Sequence, residues 1–356
     1  MLQPPIEPML ARLARELPSG PYLYEPKWDG FRCLAFVSAG GVDLRSRHQR
    51  PLARYFPEVV AGLRGVSHAG FVLDGELVIA GAQGFDFPTL LGRLHPAASR
   101  VERLSRETPA RFVAFDALAA GDVDLRERPF ESRRATLEEI LGARRPAVVP
   151  TPMTRDLAVA QEWLRRFQGG GIDGVVAKHT TLTYQPGRRV MVKVKEEHTV
   201  DCVLAGFRLA LDRPVVASLL LGLYEGDVLR HVGVSSSFPA VRRRELFDEL
   251  LPFTCALQGH PWERGFNLGP SPVGRLAGSA GRWDPDEMEQ DWVPLRPELV
   301  CEAAYDQLDG QRFRHPARLV RFRPDREARS CGFDQLTVSG QLTVSGPFPS
   351  DTLRFA

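Results

Sequence analysis

With 356 residues, 43% of them hydrophobic and 25% charged, the chain is long enough for two cores and has the composition of a globular protein, not of a fibrous or disordered one. A net charge of +2 excludes a uniformly basic coat, so a surface for a polyanion must be local; arginines gather at residues 45–54, 126–134, 242–244 and 312–329, where a plain solvated face is the alternative. Residues 1–10 have no signal-like apolar stretch, the longest apolar run (215–224) is too short to cross a bilayer, and the five dispersed cysteines form no Cys-x-x-Cys pair. These features predict a cytoplasmic protein with buried thiols and neither a zinc ribbon nor a disulfide framework.

The leader, residues 1–21, reads as extended chain with a short helix over 10–15. Next comes Tyr24-Glu25-Pro26-Lys27-Trp28-Asp29-Gly30-Phe31-Arg32. Of 46 Lys and Arg side chains only Lys27, Lys178, Lys193 and Lys195 are lysine. Guanidinium stays protonated, whereas an ε-amine can lose a proton and attack an electrophile, so lysine kept against this background marks places where arginine would fail. Asp29 sets a carboxylate near that amine, Gly30 permits close backbone approach to a ligand, and Arg32 can fork onto a phosphate or ribose oxygen. Residues 33–37 and 42–47, joined at Gly40-Gly41, predict a hairpin with Ser46-Arg47 at its exit, and 55–63 has helical spacing.

Residues 71–79 form a buried-type strand interrupted by Asp74-Gly75-Glu76. Carboxylates there cost free energy unless they are paired or bind something, a solvated turn being the alternative. Helices are expected over 85–93, 131–141 and 158–167, the last ended by Gly169-Gly170-Gly171, with an apolar strand over 112–118. Residues 172–178 place Asp173-Gly174 at the head of a strand that ends at Lys178. Residues 190–195 alternate apolar and basic, so Lys193 and Lys195 share a side, an unfavourable pairing unless an anion lies between them. A boundary is expected at 196–199. Beyond it, strands at 200–209, 215–224, 228–234, 299–305 and 313–322, with a helix at 241–251, suit a five-stranded OB-fold. Residues 255–292 read as a long inserted loop whose Trp262, Trp283 and Trp292 are packing anchors or, alternatively, base-stacking groups. The tail carries the hexapeptide Gln-Leu-Thr-Val-Ser-Gly twice, at 335–340 and 341–346.

These stretches in order resemble motifs I, Ia, III, IIIa, IV, V and VI of the covalent nucleotidyltransferases, which comprise ATP-dependent DNA ligases, RNA ligases and capping enzymes. Lys-Trp-Asp-Gly and Arg314-His315-Pro316-Ala317 through Arg323-Pro324-Asp325-Arg326 are most similar to the short bacterial ligases of the C type. The resemblance implies an α+β architecture: a nucleotidyltransferase domain of ATP-grasp-like antiparallel sheets with helices over 1–198, an OB barrel over 199–330, and an extension over 331–356. It implies Lys27 as the nucleophile on ATP, with Glu25, Arg32, Arg47, Glu76, Phe115, Lys193, Lys195, Arg321, Arg323 and Arg326 as nucleotide contacts. Glu76 would accept from ribose and Phe115 would stack on adenine, while Asp116 would belong to the metal or phosphate side. Asp29, Glu76 and Asp173 are the implied ligands of Mg2+, with Mn2+ able to substitute; the first position of motif IV is more commonly Glu. Implied partners are nicked double-stranded DNA and a repair polymerase or end-binding protein, the ligase itself being a monomer. The rivals are an RNA ligase or capping-type enzyme, which would share every motif, and a non-catalytic nucleic-acid binder.

Overall fold

The computed structural model describes residues 2–68, 70–81, 84–142, 146–166, 172–195, 198–210, 213–263, 292–306 and 308–339. The triple glycine, most of the inserted loop with Trp283, the expected boundary at 196–197 and the second copy of the repeated hexapeptide lie outside them, whereas residues 335–339 of the first copy lie in the 3-10 helix Phe333–Ser339. Two compact units divide the chain, one within 1–196 and the other within 197–341.

The first unit contains two sheets. One has the strand order Leu10–Ala14, Arg189–Val194, Ile172–His179, Tyr22–Trp28; the other runs Gly41–Ser46, Phe31–Ser38, Phe71–Gly81, Ala110–Ala120, Val123–Asp124. The second is buried on both faces, and period-two alternation decides which residue serves which core. Cys33, Ala35 and Val37 pack beneath helices Pro57–Arg64 and Phe130–Leu141, whereas Leu34 and Phe36 join Met9, Tyr184 and Met191 on the side of the first sheet. The outer face of the first sheet is covered by helix Leu157–Arg166, whose Ala160 and Trp163 meet Tyr24, Val175, Ala177 and Val192.

Three sequence expectations change here. Residues 10–14 form a strand parallel to Arg189–Val194 and not a helix, because one turn of helix is not self-sustaining while an open sheet edge supplies backbone partners. Helix Ala98–Glu107, strongly charged, was not anticipated. Gly30 makes a close approach to protein backbone instead of ligand: a Cβ there would lie 2.1 Å from the Leu77 carbonyl oxygen, so the chain can step from one sheet to the other at Asp29-Gly30.

The second unit orders its strands Val228–Ser235, Arg213–Glu225, His198–Ala210, Trp292–Tyr305, Arg318–Phe322, each antiparallel to its neighbour. A parallel bridge from Ser235 to Ala317 joins the two ends, and helix Ala240–Leu250 lies in the chain between strands Val228–Ser235 and Trp292–Tyr305, which makes a five-stranded OB barrel. The strand expected over 313–322 is split: Arg312–Phe313 pairs with Leu308–Asp309, and Pro316, lacking an N–H, precedes the barrel strand. The fourth strand starts at Trp292, seven residues before the 299 expected. Trp262 is a packing anchor, 2% exposed, its indole N–H donating to Leu229 O at 2.8 Å.

Candidate active site

A cavity of about 210 Å3 opens on the face of the first sheet that meets the second. Strand Tyr22–Trp28 contributes Glu25 and Lys27, and Arg189–Val194 contributes Arg189, Met191 and Lys193. The second sheet adds Arg32, Glu76 and Phe115, with Arg47 at its margin. Parity in the strands explains the convergence. Arg32 lies two residues from Leu34, and directly across the ladder from Glu76, on the face that looks toward the first sheet.

Lys27 Nζ donates to Asp173 Oδ2 at 2.5 Å, and Lys195 Nζ contacts the same oxygen at 2.5 Å. Asp173 reaches them through an irregularity between Ile172 and Val175, where Gly174 has φ +115°. A Cβ on Gly174 would stand 2.1 Å from Val194 O, so the bulge that aims Asp173 depends on glycine. Burial, then the charges of Lys27 and Lys195, lower the Lys193 pKa, as expected for an ammonium placed where an anion belongs. Glu76 is pushed up to about 7, chiefly by burial; Arg32 and Lys27 oppose the rise, and Asp29 and Asp74 add to it.

Arg32 is forked, but onto Asp74: Nε to Oδ1 at 2.6 Å and Nη2 to Oδ2 at 2.7 Å. Tyr184 donates to the same carboxylate at 2.7 Å, and the guanidinium carbon sits 4.3 Å above the Phe115 ring. Asp74 is thus buried as the anchor of Arg32, and no solvated turn exists at 74–76. Asp116 belongs to neither the metal nor the phosphate side. It is 1% exposed and paired through both oxygens with fully buried Arg133 at 2.8 and 2.9 Å.

Glu25 is 3% exposed; one oxygen accepts from Lys178 Nζ at 2.8 Å, and the other, Oε1, has no hydrogen-bond partner among the described residues. Lys178 also lies 4.6 Å from the Phe115 ring centre and lines the cavity. Lysine scarcity had marked Lys178 without giving it a task. Met9, Leu10 and Arg189 also line the cavity; Met9 and Leu10 get there because the leader is a strand at the sheet edge, which a helix over 10–15 does not foretell.

Arg321, Arg323 and Arg326 belong to the second unit. Arg321 pairs with Glu302 at 2.7 Å, and Arg323 and Arg326 share Asp201. Among the described residues no group of three or more His, Cys, Asp or Glu could hold a metal by itself. The carboxylates at hand, Asp29, Glu76 and Asp173, are hard oxygen donors, and Asp29 repels charge on Glu76. Such a set suits magnesium, which takes one or two carboxylates together with water and substrate phosphates.

Family models match most of the chain: ATP dependent DNA ligase domain over residues 6–195 and ATP dependent DNA ligase C terminal region over 212–326. The chain is 48% identical to DNA ligase C2 of Mycolicibacterium smegmatis over 336 residues, 94% of each chain. It is 45% identical to DNA ligase C of Mycobacterium tuberculosis over 350 residues, 97% of this chain and 96% of the relative. Among solved structures, a Lig E DNA ligase matches with a TM-score of 0.55 at 18% identity, covering 89% of this chain and 99% of that one, which is likeness of fold.

Proposed function

Because the chain belongs to the ATP-dependent DNA ligases, and so seals nicks in DNA at the expense of ATP, we propose that Lys27 is the amine that carries the adenylate. The observation supporting this most directly is the gathering of Lys27, Asp173 and Lys195 at one oxygen, beside Lys193 and Glu76. Lys27 loses a proton to solvent, and its Nζ lone pair forms a bond to the α-phosphorus of ATP as the bond to the pyrophosphate oxygen breaks. Lys193 and Lys195, on one side of their strand, offset charge on the phosphoryl oxygens. Glu25 Oε1 accepts from the adenine amino group, Phe115 offers its ring to the base, and Arg47 meets phosphate. The same AMP then passes to the 5′-phosphate of a nick, and the neighbouring 3′-hydroxyl displaces it.

Asp29, Glu76 and Asp173 would hold magnesium, or manganese in its place, which when bound neutralises phosphate charge. Arg321, Arg323 and Arg326 orient the departing pyrophosphate. Residues 1–198 are the adenylation domain, 199–330 the OB domain, and 331–356 an extension. The setting is DNA repair in the cytoplasm, as a monomer beside a repair polymerase or end-binding protein; among the described residues no helix is long and apolar enough to cross a membrane. A capping enzyme's GTP would present an oxygen where adenine presents an amino group, a poor match to the free acceptor on Glu25. Sealing of a singly nicked DNA duplex with ATP or GTP, and with deoxy or ribonucleotide 3′ ends, tests this reading; sealing driven better by GTP, or of RNA alone, would refute it.

A further inference from the structure

Asp201 lies on the first barrel strand, between Val200 and Cys202, which point into the core. Its neighbour across the ladder is Glu302, which in turn faces Arg321. Two carboxylates directly opposite each other repel unless cations are interleaved, and here the cations come from one segment. Arg323 Nη1 donates to both oxygens of Asp201 at 3.1 and 3.3 Å, and Arg326 Nε forms an ion pair with Oδ2 at 3.3 Å without a hydrogen bond. The Asp201 side chain is only 12% exposed; Asp325 also accepts from Arg323, from Nε at 3.0 Å and Nη2 at 2.9 Å, but is 63% exposed and so holds it in water. The backbone of Asp201 is itself held. Strand Arg213–Glu225 pairs with this strand only from Val203 onward, and the Gln335 amide takes the vacant side, accepting from Asp201 N at 3.0 Å and donating to Asp201 O at 3.1 Å.

We propose that Asp201 is a positioning residue for ligase adenylation: it fixes Arg323 and Arg326 in one presentation before ATP arrives, with Gln335 steadying it. Arginine side chains lose much rotamer freedom when ordered, and a buried carboxylate shared by two of them removes that freedom in advance. The role rests on the reading that these arginines serve pyrophosphate departure, so it concerns transfer of AMP to Lys27 and not the later sealing step.

The test compares the full-length protein with Asp201→Ala, Asp201→Asn, Arg323→Ala and the Asp201→Ala/Arg323→Ala double variant. Two rates are read on each: label transfer from α-labelled ATP to the protein, and sealing of a nick already carrying 5′-AMP. Asp201→Ala and Asp201→Asn are each expected to slow label transfer about tenfold or more, leave sealing within about twofold, and add little to Arg323→Ala in the double variant. Equal loss in both rates would overturn the positioning role in favour of a structural one. Loss in Arg323→Ala without loss in either Asp201 variant would overturn it alone. Unaltered label transfer in Arg323→Ala would overturn the assignment of the arginines, and the role of Asp201 with it.

Discussion

Replacing Glu76 by Gln should make the protein more stable and less active at once. Burial lifts the Glu76 carboxyl from its ordinary 4.5 to about 7, after the opposing pull of Arg32 and Lys27 has acted. At about 1.4 kcal/mol for each tenfold change in proton affinity this is about 3.5 kcal/mol, trimmed to about 2–3 kcal/mol because Glu76 is not wholly buried. The sign follows from proton binding. Between 4.5 and 7 the folded protein holds the Glu76 proton more tightly than the unfolded chain, so the contribution of Glu76 to stability falls as pH rises through that window. Below it the acid and the amide should be similar; at pH 8 Glu76→Gln should be more stable by about 2–3 kcal/mol, or roughly 4–10 °C in Tm for a unit of this size. Thermal unfolding at pH 4.5 and pH 8, with AMP labelling of the same samples, reads both effects. A Glu76→Gln protein no more stable at pH 8, or one whose advantage does not change with pH, would refute the reasoning.

Gly174→Ala should leave the far-ultraviolet spectrum intact but cut AMP transfer to Lys27 by about tenfold or more, since its Cβ would displace Val194 and with it Lys195; normal labelling would show that Asp173 does not depend on the bulge. Arg133→Met should lower unfolding free energy by about 3–5 kcal/mol by stranding Asp116, and Asp116→Asn added to it should recover much of the loss. Urea unfolding distinguishes that from additive costs. Glu25→Gln should narrow the preference for ATP over GTP in the labelling reaction by about tenfold, with thermal unfolding run alongside because Lys178 loses its ionic partner; an unchanged preference would remove Glu25 from base recognition.

The site was legible in the sequence wherever chemistry and period coincide. Lysine scarcity pointed to all four amines now found in one unit, and alternation at 190–195 put Lys193 and Lys195 on a common side. Partners could not be read, because they depend on long-range register: Arg32 meets Asp74 across a ladder, and Asp116 meets Arg133 from a helix packed on the sheet. Residues 10–14 misled because a Leu-Ala-Arg repeat is neutral between strand and helix, and an open sheet edge formed by residues 180 positions later decides the matter. Helix Ala98–Glu107 is hard to see for a related reason: its apolar stripe is only Ala98, Val101 and Leu104 among polar residues, and it buries just Val101 and Ser105. The barrel was legible from five strands and a helix, whereas its closure at Ser235 and Ala317 was not.

The central claim is that one amine takes the adenylate. Incubation with α-labelled ATP, followed by proteolysis and peptide mapping, should place a single acid-labile AMP on the peptide containing Lys27, with none on Lys27→Arg, which keeps the charge but not the nucleophile. Label persisting in Lys27→Arg, or mapping to Lys178, Lys193 or Lys195, would contradict it.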